Sequence, residues 1–424
     1  MTDQVIAPMP ALRGTIRPPG DKSLTHRGLI IGAMTDGLST LEDAAVGADI
    51  SSSMDCLRRL GVDVRQEGSE LRVTGGWGKR SSASLDAGNS GTTMRLLMGA
   101  LAGVPGTFDL VGDESLTRRP MRRVAEPLEK MGCSIELSPE GTAPVRIGGA
   151  ALQAISYQSV IASAQIKGAI LLAGLQARGR TEVVESAQSR DHTERILAWL
   201  GGDVFMSATA AGVEGGCLPL PEFRLKVPGD ISSAAFFIAA AALLPGSEIE
   251  VEGVGLNPTR TGFLDILGDM GADIQTRLES ADPEPQGTVT VRSSNLVGTQ
   301  IGGEIIATTI DELPLIGLAA TQADGETFVA DAGELRVKET DRIAVLTEGL
   351  RQLGADIEET KDGFNVRGPT KLTGGVVSAA GDHRLALTFA VAGWIASEPV
   401  TIGDWESIAV SYPSFLSDAE RLSR

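Results

Sequence analysis

The sequence predicts an α/β protein built from about six copies of one structural unit, each with a buried helix, an amphipathic helix and several short strands. Two recurring patterns support this prediction. A Leu-Gly or Met-Gly pair followed by alternating apolar and polar residues recurs at intervals of about 70 to 83 residues, and runs of small apolar residues lie between its copies. Such a period over 424 residues is typical of a chain assembled from repeats.

The first pattern marks the end of a helix and the start of a strand. A glycine at this point suits the left-handed C-cap of a helix, and the alternation of apolar and polar residues after it is typical of a half-buried strand. An amphipathic helix precedes each copy, for example over residues 121–130. The copies read LGVDV, MGCSI, LGGDV, MGADI and LGADI, and they begin at Leu60, Met131, Leu200, Met270 and Leu353.

The second pattern predicts helices that are buried on all sides. These segments are apolar nearly all round, which is typical of core helices, and each opens with Asp, Asn or Ser, which are favourable N-caps. They begin DKSLTHR, NSGTTMR, SAQIKGA, DISSAAF, DELPLIG and DHRLALT, at Asp21, Asn89, Ser163, Asp230, Asp311 and Asp382.

One period is too short to form a stable domain, so neighbouring copies are expected to share cores. RPPGDKS at 17–23 resembles KVPGDIS at 226–232, which predicts equivalent points in two halves. We therefore expect a discontinuous domain of residues 1–17 and 228–424 and a second domain of residues 18–227, with three repeats in each. An open solenoid is the alternative, but the last copy lacks the polar capping repeat that a solenoid needs.

Composition argues against several classes of protein. A net charge of −18 disfavours general binding to nucleic acids or anionic membranes, which requires a basic face. Cys56, Cys133 and Cys217 lie far apart, so neither a disulfide framework nor a cysteine metal site is expected. The longest apolar run, 234–244, is too short to span a bilayer. The first residues do not resemble a secretory signal, and we expect a cytoplasmic protein.

Residues suited to anion binding collect at the starts of the predicted buried helices. GDKSLTHR, from Gly20, and NSGTTMR, from Asn89, place cations and hydroxyls where backbone N–H groups and the helix dipole favour an anion. A single cation at a helix start is ordinarily solvated surface. The histidines, His26, His192 and His383, have no metal-ligand spacing and are interpreted as structural or as supports for neighbouring site residues. No phosphate-binding loop of the Gly-x-x-x-x-Gly-Lys type occurs, so nucleotide-driven phosphoryl transfer is not supported.

Seven strings taken together carry a more specific signal. GDKSLTHR, NSGTTMR, SAQIK, RDHTE, NPTR, LRVKETDR and GDHR, in this order along the whole chain, resemble the 5-enolpyruvylshikimate-3-phosphate (EPSP) synthase family. The resemblance implies a two-domain inside-out α/β barrel, the enolpyruvyl transferase fold, with three βαβαββ repeats per domain and the active site in the cleft between the domains. SAQIK, RDHTE and NPTR resemble the markers of the family's second class, which includes glyphosate-tolerant members.

The resemblance also implies the reaction. The enolpyruvyl group of phosphoenolpyruvate is transferred to the 5-hydroxyl of shikimate 3-phosphate and phosphate is released, on the route to chorismate and aromatic amino acids. Both substrates are small anions, and no metal or organic cofactor is implied. Several fixed arginines in a cleft suit two phosphates and a carboxylate better than a diffuse basic surface. We expect a monomer without nucleic-acid or membrane partners.

The motifs assign residues to each substrate by resemblance. The residues matched to shikimate 3-phosphate are Lys22, Ser23, Arg27, Ser163, Ala164, Gln165, Arg190, Asp311 and Lys338. Those matched to phosphoenolpyruvate are Lys22, Asn89, Gly91, Arg119, Gln165, Arg342 and Arg384.

Three residues are the candidates for proton transfer. We expect Asp311 to accept the proton of the 5-hydroxyl and Glu339 to protonate the methylene of phosphoenolpyruvate, with Lys22 able to move a proton between groups. The division of these roles among the three residues is left open. The family's first class also carries a lysine near the segment that corresponds to 410–413, and this sequence has none there, so another group must do that work.

Two other functions are alternatives to enolpyruvyl transfer to shikimate 3-phosphate. The sister enolpyruvyl transferase, which acts on UDP-N-acetylglucosamine, usually has a reactive Cys on a loop of one domain, whereas the comparable loop here, 112–117, reads GDESLT. A non-catalytic repeat scaffold gives no reason for Lys, Arg and Asp to recur at the starts of buried helices. Both alternatives are therefore disfavoured.

Overall fold

The computed structural model describes residues 3–423. The strands in this range are β1 (Gln4–Ile6), β2 (Arg13–Ile16), β3 (Leu38–Glu42), β4 (Asp63–Glu67), β5 (Glu70–Thr74), β6 (Ser82–Asp86), β7 (Gly106–Val111), β8 (Ser134–Glu136), β9 (Val145–Gly149), β10 (Ser156–Ser159), β11 (Arg180–Glu185), β12 (Val204–Met206), β13 (Ala210–Glu214), β14 (Arg224–Lys226), β15 (Glu248–Gly255), β16 (Asp273–Ser280), β17 (Gln286–Arg292), β18 (Gln300–Ile301), β19 (Gly325–Val329), β20 (Asp356–Glu359), β21 (Phe364–Gly368), β22 (Gly375–Ser378) and β23 (Val400–Gly403).

The α-helices of the same range alternate with these strands. They are α1 (Lys22–Ala33), α2 (Ala48–Arg59), α3 (Gly91–Leu101), α4 (Arg122–Lys130), α5 (Ala164–Gly174), α6 (His192–Trp199), α7 (Ile231–Leu243), α8 (Gly262–Asp269), α9 (Ile305–Thr309), α10 (Leu313–Ala320), α11 (Arg342–Gln352), α12 (His383–Ile395) and α13 (Phe415–Leu422). Among these helices, none combines the length and the apolar character that a membrane span would need.

The strands form six small sheets with one shared pattern. In the sheet β6-β7-β9-β8, β6 and β7 are parallel and are connected through the buried helix α3, and the hairpin of β8 and β9 then completes the sheet in antiparallel fashion. The chain order of this unit is βαβαββ. The other four-stranded sheets repeat the pattern, in the orders β10-β11-β13-β12, β14-β3-β5-β4, β16-β17-β15-β2 and β18-β19-β21-β20.

The sixth sheet explains why the Leu-Gly pattern occurs five times rather than six. Its strands β22 and β23 are parallel and are connected through α12, as in the other repeats. The C-terminal hairpin is absent from it, and the N-terminal strand β1 pairs antiparallel with β23 instead. This repeat therefore needs no Leu-Gly turn into a second pair of strands.

The chain forms two compact units. Unit 1 contains Met1–Pro19, Pro228–Ala281 and Pro285–Arg424, and unit 2 contains Gly20–Val227 and Asp282–Glu284. Residues 1, 2 and 424 lie outside the described residues. They also belong to the predicted discontinuous domain, and nothing is concluded for it at these three positions. Each unit holds three of the six sheets.

Two repeats take their first strand from a distant part of the chain. Strand β2 pairs in parallel with β15 of unit 1, although the helix that follows β2 in sequence is α1 of unit 2. Strand β14 pairs in parallel with β3 of unit 2, although α7 of unit 1 follows it. The two similar strings, at 17–23 and 226–232, connect these strands to the helices that follow them: β2 to α1 and β14 to α7. At each of them the chain passes from one unit to the other.

The ends of the amphipathic helices agree with the first sequence pattern. Helix α2 ends at Arg59, and Gly61 then has a φ of +88°; helix α11 ends at Gln352, and Gly354 has a φ of +93°. The glycines of the other three copies also have positive φ. A side chain would strain this conformation, so the repeated glycine is needed to turn each helix into its strand.

The buried helices start as predicted in four of six cases. Asp21, Ser163, Asp230 and Asp382 accept hydrogen bonds from backbone N–H groups in the first turns of α1, α5, α7 and α12. Asn89 and Asp311 do not cap their helices, because Ser90 caps α3 and Glu312 occupies the N-cap position of α10. Both exceptions are predicted site residues, and both of their side chains contact cations instead.

Small residues bring the helices of unit 2 close together. A Cβ added at Gly99 of α3 would lie 2.0 Å from the backbone oxygen of Ala169 in α5. A Cβ added at Gly268 of α8 would have no atom of the described residues within 4 Å, apart from its chain neighbours and the backbone of its own helix. Only the first glycine is therefore required by packing.

We predict that Gly99→Ala lowers the free energy of unfolding by about 3 kcal/mol, because helix backbones must separate to admit the methyl group. The matched variant Gly268→Ala is expected to raise it by about 0.5 to 1 kcal/mol, since alanine restricts the unfolded chain. Urea denaturation of both variants measures the two values. Equal stability of the variants would contradict the packing of α3 against α5.

Candidate active site

The start of α1 places Lys22 against an acidic partner. The Lys22 Nζ atom lies 2.9 Å from Oδ2 of Asp49, which stands in the first turn of α2. Asp21 caps α1 by accepting from the backbone N–H of Leu24 at 2.8 Å. The predicted cation is thus held at a helix start by a carboxylate that the sequence analysis did not single out.

Arg27 joins three helices of unit 2. Its Nη1 donates to the carbonyl of Ser23 at 3.0 Å, its Nη2 donates to the carbonyl of Ala164 at 3.2 Å, and its Nε donates to Oγ1 of Thr193 at 2.9 Å. Burial lowers the pKa of Arg27 to about 10, and the side chain stays charged at neutral pH. The starts of α1 and α5 are thereby fixed to α6, which begins directly after Arg190 and Asp191.

A second group of predicted residues surrounds the start of α3. Arg119 donates from Nη2 to Oδ1 of Asn89 at 2.8 Å, and Asn89 donates from Nδ2 to Oδ2 of Asp113 at 2.7 Å. Gly91 is the first residue of the helix. A Cβ at Gly91 would lie 2.9 Å from Nη1 of Arg95 and 3.4 Å from Nη1 of Arg119, so two guanidinium groups approach this helix start closely.

Gln165 connects the two groups. Its Oε1 accepts from Nη1 of Arg95 at 2.5 Å, and its Nε2 donates to Oγ1 of Thr92 at 2.9 Å. Gln165 belongs to α5, whereas Arg95 and Thr92 belong to α3. Arg95 was missed as a site residue, although it is the final residue of NSGTTMR, because the string alone does not show which way an arginine points.

The predicted residues of unit 1 form a separate charged network around Arg342. This guanidinium donates from Nε to Oδ2 of Asp382 at 2.7 Å, from Nη2 to Oε2 of Glu339 at 2.6 Å and from Nη1 to Oδ1 of Asp311 at 3.2 Å. Burial opposes the charge of Arg342, but Asp382, Glu339 and Asp311 outweigh it and raise its pKa above the usual value.

Asp311 is surrounded by cations. Its Oδ1 lies 3.6 Å from Nζ of Lys338, and its Oδ2 lies 3.7 Å from Nη2 of Arg384. Arg384 also lies 3.5 Å from Oε1 of the buried Glu312. All five predicted residues of unit 1 are therefore in one network, and Asp382 and Glu312 extend it.

The structure thus divides the predicted residues into two sets. One set lies in unit 2 and consists of Lys22, Ser23, Arg27, Asn89, Gly91, Arg119, Ser163, Ala164, Gln165 and Arg190; the other lies in unit 1 and consists of Asp311, Lys338, Glu339, Arg342 and Arg384. Lys22 in unit 2 and the cations of unit 1 already contact carboxylates, which an anionic ligand would have to replace or to join.

Three comparisons with known proteins bear on these two sets. The sequence matches the family described as EPSP synthase (3-phosphoshikimate 1-carboxyvinyltransferase) over residues 6–418. The chain belongs to the EPSP synthase family. A relative from Geobacillus kaustophilus, named 3-phosphoshikimate 1-carboxyvinyltransferase, is 49% identical over 419 residues, covering 97% of this chain and 98% of the relative. A relative of the same name from Bacillus subtilis is 47% identical over 421 residues, with coverage of 97% and 98%.

Solved structures agree with the family assignment. The structure of EPSP synthase from Acinetobacter baumannii superposes with a TM-score of 0.88 at 39% identity, and the match covers 99% of this chain and 98% of that one. The predicted family and the predicted enolpyruvyl transferase fold are confirmed by these matches.

A buried chain of hydrogen bonds links the first turns of α1 and α3. Nδ1 of His26 lies 2.8 Å from Oγ of Ser53, which lies 2.7 Å from Oγ1 of Thr93, and Thr93 donates to Oγ of the N-cap Ser90 at 2.7 Å. Burial lowers the pKa of His26 from 6.5 to about 3, so the imidazole is neutral at physiological pH. The histidine therefore connects α1 to α2 and α3 as a neutral hydrogen-bonding group.

This burial makes stability depend on pH with a definite sign. Between pH 6.5 and about 3 the unfolded chain binds a proton at His26 and the folded chain does not. We predict that the stability advantage of the wild type over His26→Asn falls by up to about 1.4 kcal/mol per pH unit below pH 6.5. Denaturation of both proteins at pH 7.5, 6.0 and 5.0 tests this. A constant difference would mean that His26 titrates in the folded state as it does in water.

Proposed function

We propose that this chain transfers the enolpyruvyl group of phosphoenolpyruvate to the 5-hydroxyl of shikimate 3-phosphate and releases phosphate. It is then a transferase of the shikimate pathway, in the biosynthesis of aromatic amino acids, as the family and the relatives are named. The observation that carries the proposal is the presence of two sets of cations around helix starts, one in each unit, in residues that match the family motifs. Two small anionic substrates require such sets.

Shikimate 3-phosphate is assigned mainly to unit 2. The starts of α1 and α5 offer backbone N–H groups, and Arg27 holds the two starts in a fixed relation. We assign the phosphate to Lys22, Ser23, Arg27, Ser163, Ala164, Gln165 and Arg190. The ring hydroxyls are assigned to Asp311 and Lys338, whose side chains are neighbours in unit 1.

Phosphoenolpyruvate carries a phosphate and a carboxylate, and both suit the planar donors of arginine. We assign this substrate to Lys22, Asn89, Gly91, Arg119, Gln165, Arg342 and Arg384. Arg119 is oriented by Asn89, and Arg384 lies between Asp311 and Glu312. The proposed assignment therefore draws on residues of both units.

The chemistry needs one acid and one base. The 5-hydroxyl oxygen bonds to C2 of phosphoenolpyruvate while its proton passes to a base, and C3 gains a proton from an acid; phosphate and a proton of C3 then leave, which restores the double bond. We assign Asp311 as the base and Glu339 as the acid, with Lys22 as a further proton carrier. Arg342 contacts both carboxylates and so fixes their separation.

The sister reaction on UDP-N-acetylglucosamine is disfavoured by the cysteines. Burial raises the pKa values of Cys56 and Cys133 to about 12, so neither thiol is activated as a nucleophile. The loop 112–117 contains no cysteine. A phosphate-release assay with phosphoenolpyruvate and either shikimate 3-phosphate or UDP-N-acetylglucosamine tests the assignment. Release with the second acceptor alone would overturn it, and release with neither would revive the scaffold alternative.

The remaining partner assignments stay predictions. The net charge of −18 supports a protein without nucleic-acid or membrane partners. Size-exclusion chromatography with light scattering would test the predicted monomer, and the cytoplasmic location is likewise a prediction.

We predict that Arg119→Ala and Arg384→Ala each raise KM for phosphoenolpyruvate by about tenfold to a hundredfold, because a hydrogen bond to a charged group contributes about 1.5 to 3 kcal/mol. The control is Arg146→Ala, which removes an exposed arginine paired with Asp109 at 2.7 Å. Steady-state kinetics with each substrate varied in turn gives the values. An unchanged KM for phosphoenolpyruvate in both variants would remove these arginines from its site.

Glyphosate, which competes with phosphoenolpyruvate in this family, tests the role of Gly91. The corresponding position is Ala in some tolerant members, and here an added Cβ would press on Arg95 and Arg119 at the flexible ends of their side chains. We predict that Gly91→Ala raises the inhibition constant of glyphosate by a larger factor than KM for phosphoenolpyruvate, since the inhibitor is the longer molecule. If both constants rise by the same factor, the methyl group does not discriminate.

A further inference from the structure

Two of the motifs contain a charged residue that the proposed reaction does not use. Lys167 ends SAQIK and Glu194 ends RDHTE, and in the structure they form an ion pair with Nζ 2.9 Å from Oε1. A third residue, Glu185 at the end of β11, completes the cluster with its Oε2 2.8 Å from the same Nζ. All three side chains are at most 5% exposed.

The ammonium group of Lys167 has a full set of acceptors. Besides the two carboxylates it donates to the carbonyl of Ser189 at 3.2 Å. Burial would lower the pKa of Lys167, but Glu194 and Glu185 outweigh it and raise the pKa, so the group is charged. Apolar residues of similar volume often replace a buried ion pair without loss of stability. Stability alone therefore does not account for a charged cluster here.

The cluster is connected to two loops that carry predicted phosphate ligands. Oε1 of Glu185 accepts from the backbone N–H of Ser163 at 3.0 Å and from the hydroxyl of Ser189 at 2.7 Å. Ser163 is the N-cap of α5, and Ser189 directly precedes Arg190. Glu185 thus holds the two loops together, and Lys167 holds Glu185.

Glu194 extends the same support to α6. It lies in the first turn of this helix, next to Thr193, which accepts from Nε of Arg27. Lys167 therefore ties the first turn of α6 to Glu185, which in turn holds the start of α5. Arg27 makes a second link between the same two helices on the side where Ser23 lies.

We propose that Lys167 is a positioning residue for the phosphate of shikimate 3-phosphate. By fixing Glu185 and Glu194, it keeps Ser163 and Arg190 at the spacing that receives the phosphate group. Lys167 itself is 4% exposed and acts through these two residues without touching the substrate. This inference rests on the proposed function, because it concerns the same phosphate.

The test must separate the loss of positioning from the loss of stability that a buried, unpaired charge causes. Lys167→Met alone leaves two buried carboxylates without their cation and is expected to destabilise the fold. The informative variant is therefore the double variant Lys167→Met/Glu194→Leu, which replaces the ion pair by apolar side chains. Glu185→Gln is a second variant that keeps an oxygen for the N–H of Ser163 and turns an amide toward Lys167.

Two variants serve as controls for these substitutions. Lys130→Met removes an exposed lysine that is paired with Glu126 at 2.8 Å. Glu194→Gln keeps an oxygen for Lys167 and serves as the conservative variant. Lys130→Met is expected to show kinetic constants close to those of the wild type, and Glu194→Gln is expected to raise KM for shikimate 3-phosphate less than the double variant does.

For the double variant and Glu185→Gln, we expect KM and the dissociation constant for shikimate 3-phosphate to rise by about tenfold or more, because small displacements of ligand groups weaken binding strongly. KM for phosphoenolpyruvate is expected to change much less. The thermal midpoint of the double variant should lie between those of the wild type and of Lys167→Met, because one buried carboxylate, Glu185, remains without its cation instead of two. Steady-state kinetics, calorimetric titration and thermal unfolding give the three readouts.

Two results would overturn the inference. One is an unchanged KM for shikimate 3-phosphate in both variants, and the other is an equal rise of KM for both substrates, which indicates a general structural effect. A wild-type protein that releases no phosphate from the two substrates would instead contradict the proposed function, so the two failures are distinguishable.

Discussion

The first backbone N–H groups of a buried helix need acceptors, and this constraint organises the whole molecule. Each of the six core helices is buried over nearly its whole length, and its first N–H groups have no partner within the helix. Asp21, Ser163 and Asp382 each satisfy one or two of these N–H groups, and the start of a helix also favours an anion. A fold with several such starts is therefore suited to phosphorylated substrates before any particular side chain is considered.

Ion pairs hold two of the cations that stand at helix starts. Lys22 contacts Asp49, and Arg342 contacts three carboxylates in a buried network. These pairs compensate the desolvation of the cations, which would otherwise be expensive in a protein interior. They also mean that binding of an anion exchanges one set of ionic contacts for another, which makes specificity depend on geometry more than on total charge.

Several residues of the proposed site occur where a single copy departs from the repeat. Asn89 and Asp311 occupy the places where the other core helices have their capping residue, yet both turn their side chains to arginines. Lys167 and Glu194 form a buried ion pair between α5 and α6. A repeat supplies equivalent scaffolding at six places, and substitutions at single copies adapt it to one pair of substrates.

The sequence by itself determined the features that depend on neighbouring residues. The period, the glycine at each helix end, most of the N-caps and the family motifs are local, because a cap or a turn is made within a few residues. Only the tertiary structure decided which strands pair with β2 and β14, the bond from Arg27 to Thr193 and the pairing of Lys167 with Glu185 and Glu194. These contacts join residues far apart in the chain, and they depend on where long side chains reach after the helices have packed, for which no local pattern gives a signal.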